Sequence, residues 1–217
     1  QAGKQATTDS RNCPAGSIFF ALKGESFDGN KFAKAALDKG CSYAVVDEKE
    51  YAIEGDERFI VVDDVLTTFK EMARQHRRQF NIPVIGITGT NGKTTTTALT
   101  GEIMKKFYKS VFVVGNIGDP YTAHALETTD ESVTVAEVSS FQLETIMDFH
   151  PNVSAITNIT PDHLDRHKTM ECYIQVKEGI TRNQTEEDCC VLNYEDPVLR
   201  EFGKTLKCKV LYFSSRE

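Results

Sequence analysis

Lys93, Thr94 and Thr95 close a glycine-rich turn that begins at Gly86 and runs Ile87-Thr88-Gly89-Thr90-Asn91-Gly92. Such a turn can grip phosphate. Its backbone N–H groups and the N-terminus of a following helix form a cup of partial positive charge. A lysine at its end reaches the terminal phosphates, and the hydroxyl beside it can sit on Mg²⁺. The general form, G-x-x-x-x-G-K-[ST], would place its first glycine at position 87. Ile87 stands there, and the glycines are Gly86, Gly89 and Gly92. A chance Gly-Lys-Thr in a loop is the alternative. The apolar run Val84–Ile87 before the turn and the helical pattern after it weigh against that.

Three further groups could do chemistry. Glu137 ends the apolar run Val133-Thr134-Val135-Ala136 and leads into Val138-Ser139-Ser140-Phe141-Gln142. A carboxylate at a strand end near a phosphate loop suits Mg²⁺, which takes hard oxygen ligands; alone, Glu137 also reads as a solvated strand-end charge. The run Ala155–Thr160 ends in Pro161-Asp162-His163-Leu164-Asp165-Arg166-His167. His163 could ligate a cation or orient phosphate, or the segment could be a capping turn with Asp162 as cap and His163 exposed. Lys177 follows Tyr173 by one helical turn and, taken alone, reads as a solvated surface charge.

Alternating elements must position these groups. Residues 17–80 read as a small α/β unit. Strand-like runs lie at 17–22, 43–46 and 59–62, a helix at 30–39, and a second helix from a cap at Asp64 to about Phe80 with Val65, Phe69 and Met72 on one face. Asn81-Ile82-Pro83 breaks the pattern and sets the boundary of two expected domains, 1–82 and 83–217. Beyond it, strands are expected at 84–88, 111–114, 132–138, 153–159, 189–193 and 208–213, with helices at 94–107, 169–182 and 195–204. The fold class is therefore α/β: a small N-terminal α/β domain, then a mostly parallel sheet with helices on its faces. Ligands of such sheets sit beyond the carboxyl ends of the strands, where the candidate residues fall.

Composition narrows the partners. The chain has 217 residues and a formal net charge of −7, which argues against a general nucleic-acid binder. No apolar run reaches membrane-spanning length, so no membrane insertion is expected. Cys13, Cys41, Cys172, Cys189, Cys190 and Cys208 form no C-x-x-C pair and suit no zinc site; free thiols fit a reducing cytoplasm.

Together, Gly89-Thr90-Asn91-Gly92-Lys93-Thr94-Thr95, the stretch Asn158–His167 and the Lys177 helix resemble the Mur ligase superfamily, the ATP-dependent enzymes that build the peptidoglycan peptide stem. The resemblance spans residues 84–217. Gly115-Asn116-Ile117-Gly118 and Glu137–Glu144 look like its D-glutamate-adding branch. Thr8-Asp9-Ser10-Arg11, Pro14–Phe19 and Ala21–Gly29 resemble the first domain of the D-alanyl-D-alanine-adding branch, with the diamino-acid-adding branch second. The chain thus reads as a mosaic changing near Gly86–Thr94, a chimera rather than a new natural subfamily. The related folate polyglutamate ligases share the phosphate loop, but Gly115–Gly118 and the first domain argue against them.

The resemblance implies bacterial, cytoplasmic and monomeric acid–amino-acid ligation. ATP phosphorylates the carboxylate of a UDP-N-acetylmuramoyl substrate, and an amino acid's amine displaces the phosphate. It implies that Gly89 to Thr95 bind ATP and that Lys93 neutralises its β/γ oxygens. Thr94 and Glu137 would hold one Mg²⁺ and His163 a second, while Lys177 would be carried as a metal-supporting carbamate. Asn116, Ser139 and Gln142 would touch the muramoyl substrate. Ser10, Arg11, Gly24, Glu25 and Ser26 would line the uridine-diphosphate pocket. The chain opens at Gln1 without Met and ends at Glu217 without the family's adenine-contacting His-Asn segment and third domain. It is therefore expected to be a piece with little ligase activity alone, and a non-catalytic nucleotide-binding module is the rival reading.

Overall fold

The computed structural model describes residues 5–216; the outer limits of the two expected domains, residues 1 and 217, lie outside them. The chain forms two compact units. One holds residues through Asn81 together with Tyr121–Thr128, and the other holds Ile82–Pro120 and Thr129 onward.

The first unit is built on a four-stranded parallel sheet of β1 (Ala6–Thr7), β2 (Ile18–Phe20), β5 (Tyr43–Val46) and β6 (Phe59–Val61), in the order β1-β2-β5-β6. A small antiparallel hairpin, β3 (Lys23–Gly24) and β4 (Phe27–Asp28), lies between β2 and the helix α1 (Ala33–Asp38). Helix α2 (Val65–Arg77) starts where expected: the Asp64 carboxylate accepts the Thr67 N–H at 2.7 Å, filling an orphan donor of the first turn. Val65 and Phe69 are buried with Phe20 and Val45, and Met72 packs on them, which gives the apolar stripe its purpose. Two apolar clusters thus cover the two sheet faces, one under α1 and one under α2. The helix ends at Arg77 rather than near Phe80.

The second unit starts at β7 (Val84–Thr88), followed by α3 (Lys93–Met104) and β8 (Ser110–Gly115). After α4 (Tyr121–His124), which belongs to the first unit, come β9 (Ser132–Glu137), α5 (Ser140–Leu143), β10 (Val153–Ile156), α6 (Leu164–His167), α7 (Met170–Glu178), β11 (Cys189–Asn193), α8 (Pro197–Gly203) and β12 (Lys209–Phe213). All six strands run parallel, in the order β12-β11-β10-β7-β9-β8. From β7 the chain crosses to β8 on one side; from β10 it crosses to β11 on the other. Neighbouring strands whose connections part in opposite directions open a crevice at their carboxyl ends. β7 and β10 are that pair. β9, between β7 and the edge strand β8, is buried along its whole length, as an interior strand of a sheet covered on both faces is.

The expected strand 153–159 is shorter than its apolar run. It leaves the ladder after Ile156, where Thr157, Asn158 and Thr160 turn hydrogen bonds to the phosphate turn and the Ile159 N–H donates to Asp196. The helix expected over 169–182 is α7 followed by a 3₁₀ turn at Gly179–Thr181. All six cysteines are free thiols, and among the described residues no helix is long and apolar enough to cross a membrane.

Candidate active site

The phosphate turn leaves β7 at Thr88 and enters α3 at Lys93. Gly89 has φ 139°, and a Cβ there would lie 2.0 Å from the Thr157 hydroxyl, so this position admits only glycine. Gly92 caps α3 at φ 78°, with no side chain turned onto the free N–H groups of the first turn. The start of a twelve-residue helix is thereby left open to an anion.

The segment after β10 clamps this turn. Thr90 N–H donates to the Asn158 carbonyl (2.9 Å) and Asn91 N–H to Asn158 Oδ1 (2.9 Å), while Asn158 Nδ2 returns to the Asn91 carbonyl (3.1 Å). The Thr157 hydroxyl donates to the same carbonyl at 2.7 Å. Thr90 Oγ1 accepts the Thr160 N–H at 3.0 Å and lies 3.2 Å from the buried Tyr173 hydroxyl. The turn is held rigid before any ligand arrives, which cuts the ordering cost of binding. Lys93 folds its ammonium back onto the Thr90 carbonyl at 2.8 Å.

Lys177 supports the turn from beneath. It is only 2% exposed, so the surface-charge reading of the isolated residue is overturned. Its Nζ donates to the Gly89 carbonyl at 2.7 Å and lies 5.0 Å from the Tyr173 ring centroid. Burial, reinforced by the charge of Lys93, brings its pKa from 10.5 down to about 8. An amine in that range is neutral in roughly a tenth of molecules at pH 7, against about 0.03% for an ordinary lysine.

Glu137 ends β9, in register with Ile87 of β7 and Gly115 of β8. It is 2% exposed, which excludes the solvated-charge reading. Its Oε1 accepts from Asn116 Nδ2 at 2.9 Å; its Oε2 is buried with no partner. Gly115 makes this approach possible: at φ 99°, a Cβ would sit 2.2 Å from the Glu137 carbonyl. Beyond Glu137, Ser139 and Gln142 form a capping box at the start of α5. Gln142 N–H donates to Ser139 Oγ (3.3 Å), and Ser139 N–H donates to Gln142 Oε1 (2.9 Å).

His163 is placed differently. It is the N-cap residue of α6, at φ 51°, and Asp162 accepts its N–H, so Asp162 is not the cap. Its imidazole lies 3.4 Å from the Asp162 carboxylate and packs on Phe141, with centroids 5.0 Å apart. Among the described residues no three His, Cys, Asp or Glu side chains converge as a metal cluster. In the first unit, Ser10 and Arg11 stand in an exposed turn where Arg11 grips Asp9 at 2.9 Å and Lys39 donates to the Ser10 carbonyl at 2.7 Å. Gly24 closes β3, and Glu25 and Ser26 form the exposed tip of the β3–β4 hairpin. No role was expected for Thr157, Asn158, Thr160 or Tyr173; the first three were signalled by polar residues directly after an apolar strand, and Tyr173 sits inside α7 with no comparable signal.

Similarity to known proteins follows the same division. Residues 87–217 match the Mur ligase middle domain, and residues 4–84 match the Mur ligase family catalytic domain. A UDP-N-acetylmuramoylalanine–D-glutamate ligase of Lachnoclostridium phytofermentans is 64% identical over 132 residues, 61% of this chain and 29% of that protein. The ligase of the same name from Clostridioides difficile is 56% identical over 135 residues, 62% and 30% respectively. The chain thus spans less than a third of these relatives. Among solved structures, MurF from Acinetobacter baumannii aligns with 96% of this chain and 47% of its own at TM-score 0.75 and 26% identity. MurF ligase from Thermotoga maritima, in complex with ADP, shares the fold at TM-score 0.79 and 24% identity, over 98% and 51% of the two chains. With its middle-domain match covering more than half of its residues, the chain belongs to the Mur ligase family.

Proposed function

We propose that residues 83–217 grip the phosphates of ATP and that residues 1–82 bind a UDP-N-acetylmuramoyl substrate. The two would form part of a bacterial cytoplasmic ligase of peptidoglycan precursor synthesis, most like the D-glutamate-adding one. The observation that carries this reading is the pre-formed turn Gly89–Thr95 with the buried amine of Lys177 bonded to its underside. Burying that amine costs desolvation, a cost that its bond to the Gly89 carbonyl only partly offsets.

In the proposed reaction a substrate carboxylate oxygen attacks the γ-phosphorus of ATP and ADP departs, leaving an acyl phosphate. The amino acid's amine then attacks the acyl carbon, loses a proton, and inorganic phosphate leaves. The chain's contribution is positioning and charge neutralisation. Lys93 swings from the Thr90 carbonyl to the β/γ oxygens, and the open N-terminus of α3 adds donors. Glu137 fits a Mg²⁺: its buried, unpartnered Oε2 needs a cation or a donor, and Thr94 is assigned as the companion ligand. Such an ion supplies charge neutralisation to the transferring phosphoryl group. A second Mg²⁺ is assigned to His163, whose half-exposed imidazole lies 3.4 Å from the Asp162 carboxylate. Lys177, neutral often enough to add CO₂, is assigned as a carbamate. Asn116, Ser139 and Gln142 at the ends of β8 and β9 are assigned to the muramoyl group, with Ser10, Arg11, Gly24, Glu25 and Ser26 to the uridine diphosphate.

The test is calorimetric binding of Mg²⁺-ATP to the 217-residue chain and to Lys93→Ala. Binding by the wild type and its loss in the variant are expected; no wild-type binding at millimolar ATP sinks the reading. A second reading, a muramoyl-peptide ligase adding D-alanyl-D-alanine, is favoured by the near-complete alignment with MurF. Competition between UDP-N-acetylmuramoyl-L-alanine and the corresponding tripeptide separates the two.

A further inference from the structure

Ser140, His167 and Glu144 stand in an order familiar from hydrolases, though nothing in the proposed ligation uses them. His167 Nε2 lies 3.0 Å from Ser140 Oγ, and its Nδ1 lies 3.3 Å from Glu144 Oε1. A carboxylate can only accept, so the ring nitrogen facing Glu144 carries a proton, and Ser140 Oγ meets the other ring nitrogen. Arg166 holds Glu144 in a fork at 2.6 and 3.3 Å and keeps its carboxyl below the usual range. The imidazole also stacks on Phe141, with planes 14° apart, and tilts against Tyr173.

A nucleophile must be reached by its substrate, and this one is not: Ser140 is 2% exposed and His167 3%. The arrangement therefore fixes position rather than performs attack. Ser140 opens α5, next to Ser139 of the capping box and two residues before Gln142, while His167 closes α6, one turn after His163. A four-residue helix has too few internal bonds to hold itself. We propose that the buried pair Ser140 and His167, backed by the more exposed Glu144, forms a positioning triad that locks the Ser139–Gln142 turn in register for the muramoyl substrate. That assignment of Ser139 and Gln142 rests on the function proposed above.

Two measurements on the full chain separate the lock from the function. By hydrogen exchange, His167→Ala and Ser140→Ala should each speed exchange at 139–144, leave 89–95 unchanged, and add little to each other when combined. A uniform rise across the second unit, or fully additive effects, would mean ordinary packing and overturn the proposal. By calorimetry, the variants should weaken UDP-N-acetylmuramoyl-L-alanine about tenfold, the worth of one positioned hydrogen bond, and leave Mg²⁺-ATP affinity unchanged. Equal losses for both ligands also overturn the proposal. If the wild type does not bind the muramoyl nucleotide, the proposed function falls, and the exchange pattern still decides the lock.

Discussion

Replacing Lys177 by Met tests the buried amine most directly, because the consequence depends on pH in a calculable way. The folded pKa is about 8, against 10.5 for the free side chain. Between those values the unfolded chain holds a proton that the folded chain has released, so wild-type stability rises with pH across this window. Below pH 8 both states are protonated, and the whole cost of burying the charge is present. The gap between the two values corresponds to about 3 kcal/mol. Met fills a similar volume without titrating, so the difference between variant and wild type should move by that amount in the wild type's favour from pH 7 to pH 10.5. With a urea slope of about 2 kcal/mol per M, the midpoints should shift relative to each other by about 1.5 M. Urea unfolding followed by circular dichroism in CO₂-free buffer is the assay, and alkaline effects on other groups cancel in the difference. A pH-independent difference would refute the claim that Lys177 is buried as an amine. With ¹³C-bicarbonate added, a carbamate resonance lost in Lys177→Met should grow in as the neutral amine does.

Three further outcomes follow from the geometry. Gly89→Ala should destabilise the second unit by about 1–3 kcal/mol, since a Cβ at φ 139° collides with Thr157; an unchanged melting temperature would show that the turn can yield. Glu137→Gln should leave the melting temperature within a degree or two, because Asn116 keeps its acceptor. It should weaken Mg²⁺-dependent ATP binding at least about tenfold by calorimetry, as expected for loss of a charged ligand to a hard cation. Far from the site, burial alone would push the Asp188 carboxyl up, yet bonds from Thr185 and His150 at 2.6–3.0 Å hold it below 3.8. Its contribution is thus present above pH 3.8 and lost as pH falls through its lowered value. His150→Ala should cost about 1–3 kcal/mol at pH 6, and a neutral result by urea titration would count against the pair.

Periodicity showed most of the framework because its elements bury continuous apolar faces: β7 and β9 read as runs rich in β-branched residues, and α2 as a capped amphipathic stripe. What it hid was short or non-local. β1 has two residues and pairs only because β2 offers a free edge. α5 and α6, of four residues each, are set by the Ser139–Gln142 capping box at α5 and by the His167 contact between them rather than by propensity. The site was legible wherever backbone chemistry demanded a residue type, as at Gly89, Gly92 and Lys93. Lys177 was legible only through the family resemblance, because nothing local separates a helix lysine on the surface from one buried against a carbonyl 88 residues away in sequence. Asn158 and Thr157 were opaque for the same reason: their partners lie in another crossover of the sheet.

Tyr121–Thr128 groups with the first unit although the chain has already entered the second. Any recombination or engineered exchange that joins foreign sequence at Ile82 would therefore inherit this octapeptide from one parent and residues through Asn81 from the other. The His76 ring meets the Thr128 carbonyl at 3.4 Å, and such a hybrid would have to re-fit that contact. The modular boundary of this chain is thus three cuts rather than one, and exchanges that move both segments together are the ones that preserve a parent's packing.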